Sequence, residues 1–122
     1  MNPPAESLTA ESLFSIRRTL IAKLPNNFDS QLLQAISSEI LQTVSTNKEI
    51  NSVVFDLSNI TTIDRFDLDA LHDVMKAVKL VGARIGLCSI GPGIAALIVN
   101  SGIHLPHQAA GHDIQDTMDL LH

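Results

Sequence analysis

The pattern of hydrophobic and polar positions predicts short strands that alternate with amphipathic helices. Alternating or continuous apolar segments of four to about ten residues indicate strands, and apolar residues at a spacing of three or four indicate helices. The predicted strands are Phe14–Leu24, Ser52–Leu57, Arg84–Ile90 and Ile103–Leu105. The predicted helices bury apolar residues within Leu33–Val44, Leu71–Val78, Ile94–Ile98 and Ile114–Leu121. This alternation is typical of helices packed on a largely parallel sheet.

Residues that favour helix ends stand at the borders of these segments. Asp29 or Ser30 can cap the first helix, and Asp64 can cap the second. Gly82 and Gly102 follow the second and third helices, where a left-handed residue commonly ends a helix. The local signals therefore agree with the periodicity.

Length and composition indicate one folded domain with an aliphatic core. The chain has 122 residues, of which 45% are hydrophobic, but it contains no Trp or Tyr. Residues 1–12 include Pro3 and Pro4 and show no periodicity, so we expect a flexible N-terminal tail followed by a domain over 13–122.

Charge and cysteine content exclude several classes of protein. Eight basic and 13 acidic residues give a formal net charge of −5, which argues against binding to nucleic acid. The longest strongly apolar segment, 94–99, is too short to span a membrane, and no secretory signal is visible. The single Cys88 cannot form an internal disulfide. We expect a cytoplasmic protein.

Three segments together resemble the STAS domain, the fold of sulfate transporters and anti-sigma-factor antagonists. They are VVFDLSNI (53–60), TTIDRF (61–66) and VGARIGLCSIGPGIAALIVNSGI (81–103). The chain is most similar to single-domain stressosome scaffold proteins of the RsbS type. The resemblance implies an α/β fold with a roughly four-stranded mixed sheet. Its first strand runs antiparallel to its neighbour, and about four helices pack mainly on one face.

The resemblance also implies a function in stress signalling without catalysis. Family members bind a serine/threonine kinase of the histidine-kinase-like ATPase fold and co-assemble with STAS-containing sensor paralogues. We therefore expect a scaffold or anti-sigma-factor antagonist that forms homo- or hetero-oligomers, needs no cofactor or metal, and binds neither nucleic acid nor membrane.

One position departs from the family pattern. In the family, the kinase phosphorylates a Ser or Thr that follows an Asp at the start of the second helix, whereas this chain has Asp64-Arg65. Arg65 offers no hydroxyl, and its charge is opposite to the −1.5 to −2 of a phosphate group. We therefore expect no switching at this position. The expected partner-binding region consists of Ser58, Thr61, Thr62, Asp64, Arg65, Phe66, Asp67 and Asp69.

Several alternatives remain open from the sequence. Ser58, Thr61 or Thr62 can replace the missing phosphate acceptor, although loop hydroxyls commonly bond nearby backbone. Asp56 ends a buried strand and suits a phosphoryl-accepting, receiver-like domain, but the acidic pair that receivers carry after the first strand is missing. The turn Gly91–Gly93 precedes a helix and suits a small-ligand sensor.

Overall fold

The computed structural model describes residues 13–26 and 28–122. The strands are β1 (Leu13–Ile16), β2 (Thr19–Lys23), β3 (Ser52–Asp56), β4 (Arg84–Cys88) and β5 (Ala109–Gly111). The helices are α1 (Ser30–Thr46), α2 (Arg65–Leu80), α3 (Pro92–Ser101) and α4 (Ile114–Leu121). The expected tail, residues 1–12, lies outside the described residues.

The described strands form one mixed sheet in the order β1-β2-β3-β4-β5. β1 pairs antiparallel with β2, and the three remaining pairs are parallel. The predicted mixed α/β architecture is confirmed, with one strand more than expected.

The predicted strand Phe14–Leu24 is in fact a hairpin. Arg17 and Arg18 form a tight turn, and Arg17 has a φ of 56°, a conformation that glycine usually supplies. Leu20 and Ala22 face the larger core, whereas Phe14 pairs with Ile21 on the opposite face. The alternation of apolar and polar residues therefore continues through the turn. Because the turn contains no Gly or Asn, the sequence did not indicate that the segment is two strands.

Helices cover the two faces of the sheet unequally. One face packs against α1, α2 and α3 and holds the larger core, which includes Phe55, Leu87 and Ile94. The other face carries the smaller cluster of Val54, Cys88 and the α4 residues Met118 and Leu121. β3 is buried over its whole length, as its apolar sequence predicts. Three of the four described helices therefore lie on one face, as expected.

The last strand does not lie where the sequence pattern placed it. Ile103–Leu105 is irregular, and β5 is formed by Ala109–Gly111. Small side chains are required here because a Cβ on Gly111 would lie 2.5 Å from Thr117 Oγ1. Alanine and glycine have low strand propensity, so this strand gives no signal in the sequence.

The predicted helix ends are confirmed. Asp29 and Asp64 each accept a backbone hydrogen bond at the start of α1 and α2. Gly82 and Gly102 have φ values of 100° and 75°, in the left-handed region. Among the described residues, no helix combines the length and the apolar character that crossing a bilayer requires.

Candidate partner-binding site at the start of the second helix

The candidate site lies where the parallel strands end. The loop from Leu57 to Asp64 follows β3 and leads directly into α2. The backbone N–H of Leu57 donates to the carbonyl oxygen of Cys88 at 3.1 Å, which ties the loop to the end of β4. A Cβ on Gly93 would lie 3.7 Å from the Thr61 carbonyl oxygen, so the start of α3 lies close to the same loop.

The buried side chain of Asp56 fixes the start of this loop through a hydrogen bond. Its side chain is 3% exposed, and Oδ1 accepts a hydrogen bond from the Ser58 backbone N–H at 2.9 Å. Burial, and secondarily the neighbouring Asp56 carboxylate, raises the pKa of the Cys88 thiol to about 11. A phosphoryl acceptor must be reached by its donor, whereas Asp56 is covered and bonded to the loop. The arrangement therefore gives no support to the receiver-like alternative.

Asp64 fixes the first turn of α2. Its Oδ1 accepts a hydrogen bond from the Asp67 backbone N–H at 2.8 Å, and its carbonyl accepts from Leu68 at 3.0 Å. Desolvation raises the pKa of Asp67, and the nearby Asp64 carboxylate adds to this shift. The turn that carries residues 65 and 66 is thus held by a strong capping residue.

Arg65 is the first residue of α2 and lies at the surface. Its Nε is 3.6 Å from Oδ1 of Asp69, and the two side chains are 59% and 56% exposed. Exposed ion pairs at this spacing contribute only about 0.3–0.5 kcal/mol. The guanidinium is therefore available to a partner at little cost.

Phe66 is the most exposed large hydrophobic residue in the described part of the chain, at 86%. It follows Arg65 directly and points away from both hydrophobic clusters. Aromatic residues and arginines are enriched at protein–protein interfaces. The exposed pair Arg65–Phe66 is therefore a candidate contact point.

A shallow groove runs beside this contact point. It is lined by Phe28, Thr62, Ile63, Asp64 and Asp67. The first of these was missed in the sequence because it follows β2, far from α2 along the chain. Asp29, which adds to the raised pKa of Asp67, is a second missed neighbour. The carboxyl ends of parallel strands meet at the same end of a sheet. Applying this rule to the strands before Phe28 and Ser58 would have predicted Phe28 and Asp29 as neighbours of the site.

The three candidate hydroxyl groups precede the pair Arg65–Phe66 in the chain and lie outside α2. Ser58, Thr61 and Thr62 are all exposed and belong to the loop, before the first turn of α2. Of the eight predicted residues between 58 and 69, seven are exposed and Asp67 is half-buried. The structure does not place a hydroxyl at the position of Arg65.

The described residues contain no cluster of three His, Cys, Asp or Glu side chains arranged to hold a metal ion. What the site does offer is an exposed cation, an exposed aromatic ring and several carboxylates on a rigid helix start. Such a surface is suited to protein recognition.

Comparison with known proteins places this geometry in a family. The STAS domain model matches residues 6–109. The chain belongs to the STAS domain family. No curated protein sequence matches this STAS domain.

Solved structures share the fold of this STAS domain. A serine-to-glutamate variant of RsbS from Moorella thermoacetica aligns with a TM-score of 0.76 at 20% identity, covering 89% of this chain and 92% of the other. A chain from a study of stressosome architecture gives 0.72 at 19%, with 89% and 94% covered. Phosphorylated SpoIIAA, described as a Bacillus cell fate determinant, gives 0.65 at 15%, with 90% and 97% covered.

Proposed function

We propose that this STAS domain is a non-enzymatic scaffold in stress signalling that binds its partners through the start of α2. The observation that carries the proposal is the pair Arg65–Phe66, exposed on a helix turn that Asp64 holds in place. Fold likeness to RsbS and to SpoIIAA, which is described as an anti-sigma-factor antagonist, supports a role as such an antagonist or as a stressosome component.

The proposed partners are proteins. One is a serine/threonine kinase of the histidine-kinase-like ATPase fold, which reads the start of α2. The others are STAS-containing sensor paralogues, with which the chain co-assembles in the cytoplasm. The carboxylates of Asp64, Asp67 and Asp69 give this surface an acidic border, so the complementary surface on a partner carries basic residues.

At Arg65 the chain does not switch by phosphorylation. A phosphate on a serine adds about −1.5 to −2 charges, which lets the modified protein be released by repulsion. Arg65 instead carries a positive guanidinium and no hydroxyl that a kinase could modify. The charge at this position therefore does not change by phosphorylation. Any exchange of bound partners must then be controlled by changes in the partner proteins.

The test is a kinase assay on Arg65→Ser. We expect the kinase recovered with the protein from its native cell to phosphorylate the variant at the new Ser and to leave the wild type unmodified. Lys79→Ser is the matched control, since it places an equally new hydroxyl in the last turn of the same helix. Stoichiometric phosphorylation of wild-type Ser58, Thr61 or Thr62, coupled to partner release, would contradict the proposal.

A further inference from the structure

A second polar site lies at the other end of the sheet, at the N-terminal ends of the parallel strands. A recess of about 170 Å³ opens between the hairpin residues Arg17, Arg18 and Thr19 and the C-terminal segment. The C-terminal segment contributes Gln115, Met118 and Asp119 of α4 and His122, which follows the helix. The volume of the recess equals the share of about six water molecules at ~30 Å³ each, which accommodates a small tetrahedral anion.

A buried polar cluster adjoins the recess through Thr19 and His122, which both line it. Thr19 and Ser52 are fully buried, and their hydroxyl oxygens are 2.9 Å apart. Nε2 of His122 lies 3.2 Å from Ser52 Oγ and 3.4 Å from Thr19 Oγ1. Buried hydroxyls on adjacent strands are unusual in an aliphatic core, and here they hold an imidazole at the rim of the recess.

The mouth of the recess is positively charged. Arg17 and Arg18 line it, and within the described residues neither lies within 4.0 Å of a carboxylate. The carbonyl of Arg18 accepts from Asn51 N–H at 3.0 Å, which anchors the turn to the start of β3. Arg17 occupies a positive-φ position where glycine is the usual choice, so a long cationic side chain stands there at a conformational cost.

Arg84 does not line the recess but begins β4, two strands away from Thr19. Arg84 is in register with Ser52, and Ser52 with Thr19, so the three form one row across adjacent strands on the α4 side of the sheet. The recess is also lined by one negatively charged side chain, Asp119. Its Oδ1 accepts a hydrogen bond from the Gln115 side-chain amide at 2.9 Å. The last turn of α4 adds partial negative charge, so anion binding here depends on Arg17 and Arg18.

We propose that this recess binds a phosphate-type anion, either free phosphate or a small phosphomonoester. Two guanidinium groups provide the planar paired donors that phosphate oxygens prefer, and the second N–H of the Gln115 amide is a further donor. The site is remote from the start of α2 and is independent of the proposed partner surface.

The test is a titration of the full chain at low ionic strength, followed by amide NMR, with inorganic phosphate, methyl phosphate and chloride. We expect both phosphates, but not chloride, to shift the signals of Arg18, Thr19 and Gln115 at millimolar concentration. Tighter binding of methyl phosphate would identify phosphomonoesters as the ligand class, and equal binding would identify the anion alone.

Variants decide whether the recess is the site. Arg17→Gln with Arg18→Gln should weaken binding by about tenfold or more, the loss expected for charge-assisted hydrogen bonds. Lys48→Gln removes an exposed cation that does not line the recess and should leave binding unchanged. Gln115→Ala, a milder change, guards against a folding defect in the double variant and should weaken binding less. Absent shifts, or equal weakening by Lys48→Gln, would overturn the proposal.

Discussion

The cap of α2 connects the stability of the fold with the proposed surface. In Asp64→Ala, the hydrogen bond from Asp67 N–H to Asp64 Oδ1, now 2.8 Å long, is lost. Loss of an aspartate N-cap typically costs about 1 kcal/mol, within roughly 0.5–2 kcal/mol. With a urea m-value of about 1–3 kcal/mol/M, the unfolding midpoint should fall by roughly 0.3–1 M.

Two companion variants make this prediction specific. Asp64→Asn keeps a good capping side chain and loses only the favourable charge at the helix start, so its free energy of unfolding should fall measurably less than that of Asp64→Ala. Asp29→Ala removes the equivalent 2.8 Å bond to Leu32 N–H on α1 and should cost about as much as Asp64→Ala, roughly 1 kcal/mol.

The assay is urea denaturation of all four proteins, with partner binding measured in parallel. Asp64→Ala should weaken binding more than Asp29→Ala, because only the first loosens the turn that carries Arg65 and Phe66. An Asp64→Ala protein as stable as wild type, or an Asp64→Asn protein as unstable as Asp64→Ala, would refute the reasoning about the cap.

Four further predictions concern the sheet and the assembly. Gly86→Ala places a Cβ 2.5 Å from Thr117 Cγ2 and 3.1 Å from Leu121 Cδ1, so it should destabilise the fold by about 1–3 kcal/mol in urea denaturation; adding Thr117→Ser, which removes Cγ2, should recover part of the loss. The Cys88 thiol is buried and has its pKa raised to about 11, so iodoacetamide should modify it at neutral pH only after unfolding, as followed by mass spectrometry. Because the folded-state pKa is the higher one, the stability that Cys88 contributes is complete below its ordinary value of 9.0 and is lost as the pH rises through about 11; Cys88→Ala should show a smaller loss over that interval. Light scattering should detect self-association at high concentration or co-assembly with sensor paralogues, and a strict monomer under both conditions would count against the scaffold.

The central part of the fold follows from the sequence because its signals are strong and local. β3 and β4 are almost continuously apolar, since helices cover both faces of the sheet at its centre. The capped starts of α1 and α2 are equally local features. The elements at the edges were predicted less well. The hairpin turn has Arg17 at a positive-φ position where glycine is usual. β5 consists of small residues because Thr117 leaves no room for a Cβ at Gly111.

The candidate site was accessible to sequence reasoning because it is continuous from residue 58 to 69. Its neighbours Phe28 and Asp29 depend on the meeting of two loops at the edge of the sheet, which no local pattern encodes. The recess at the other end of the sheet joins residues 103 positions apart, Thr19 and His122, so it emerges only from the folded chain.

The central claim is that the start of α2 is the surface through which this STAS domain holds its partners. The most direct measurement is a quantitative pull-down from the native cell with wild type, Phe66→Ala and Leu80→Ala. The two residues are 86% and 80% exposed at opposite ends of the same helix, so each substitution removes an exposed apolar side chain of little structural weight. We expect Phe66→Ala to lose a kinase of the histidine-kinase-like ATPase fold and Leu80→Ala to retain it. Equal recovery of that kinase by Phe66→Ala and wild type, or its loss with Leu80→Ala alone, would contradict the claim.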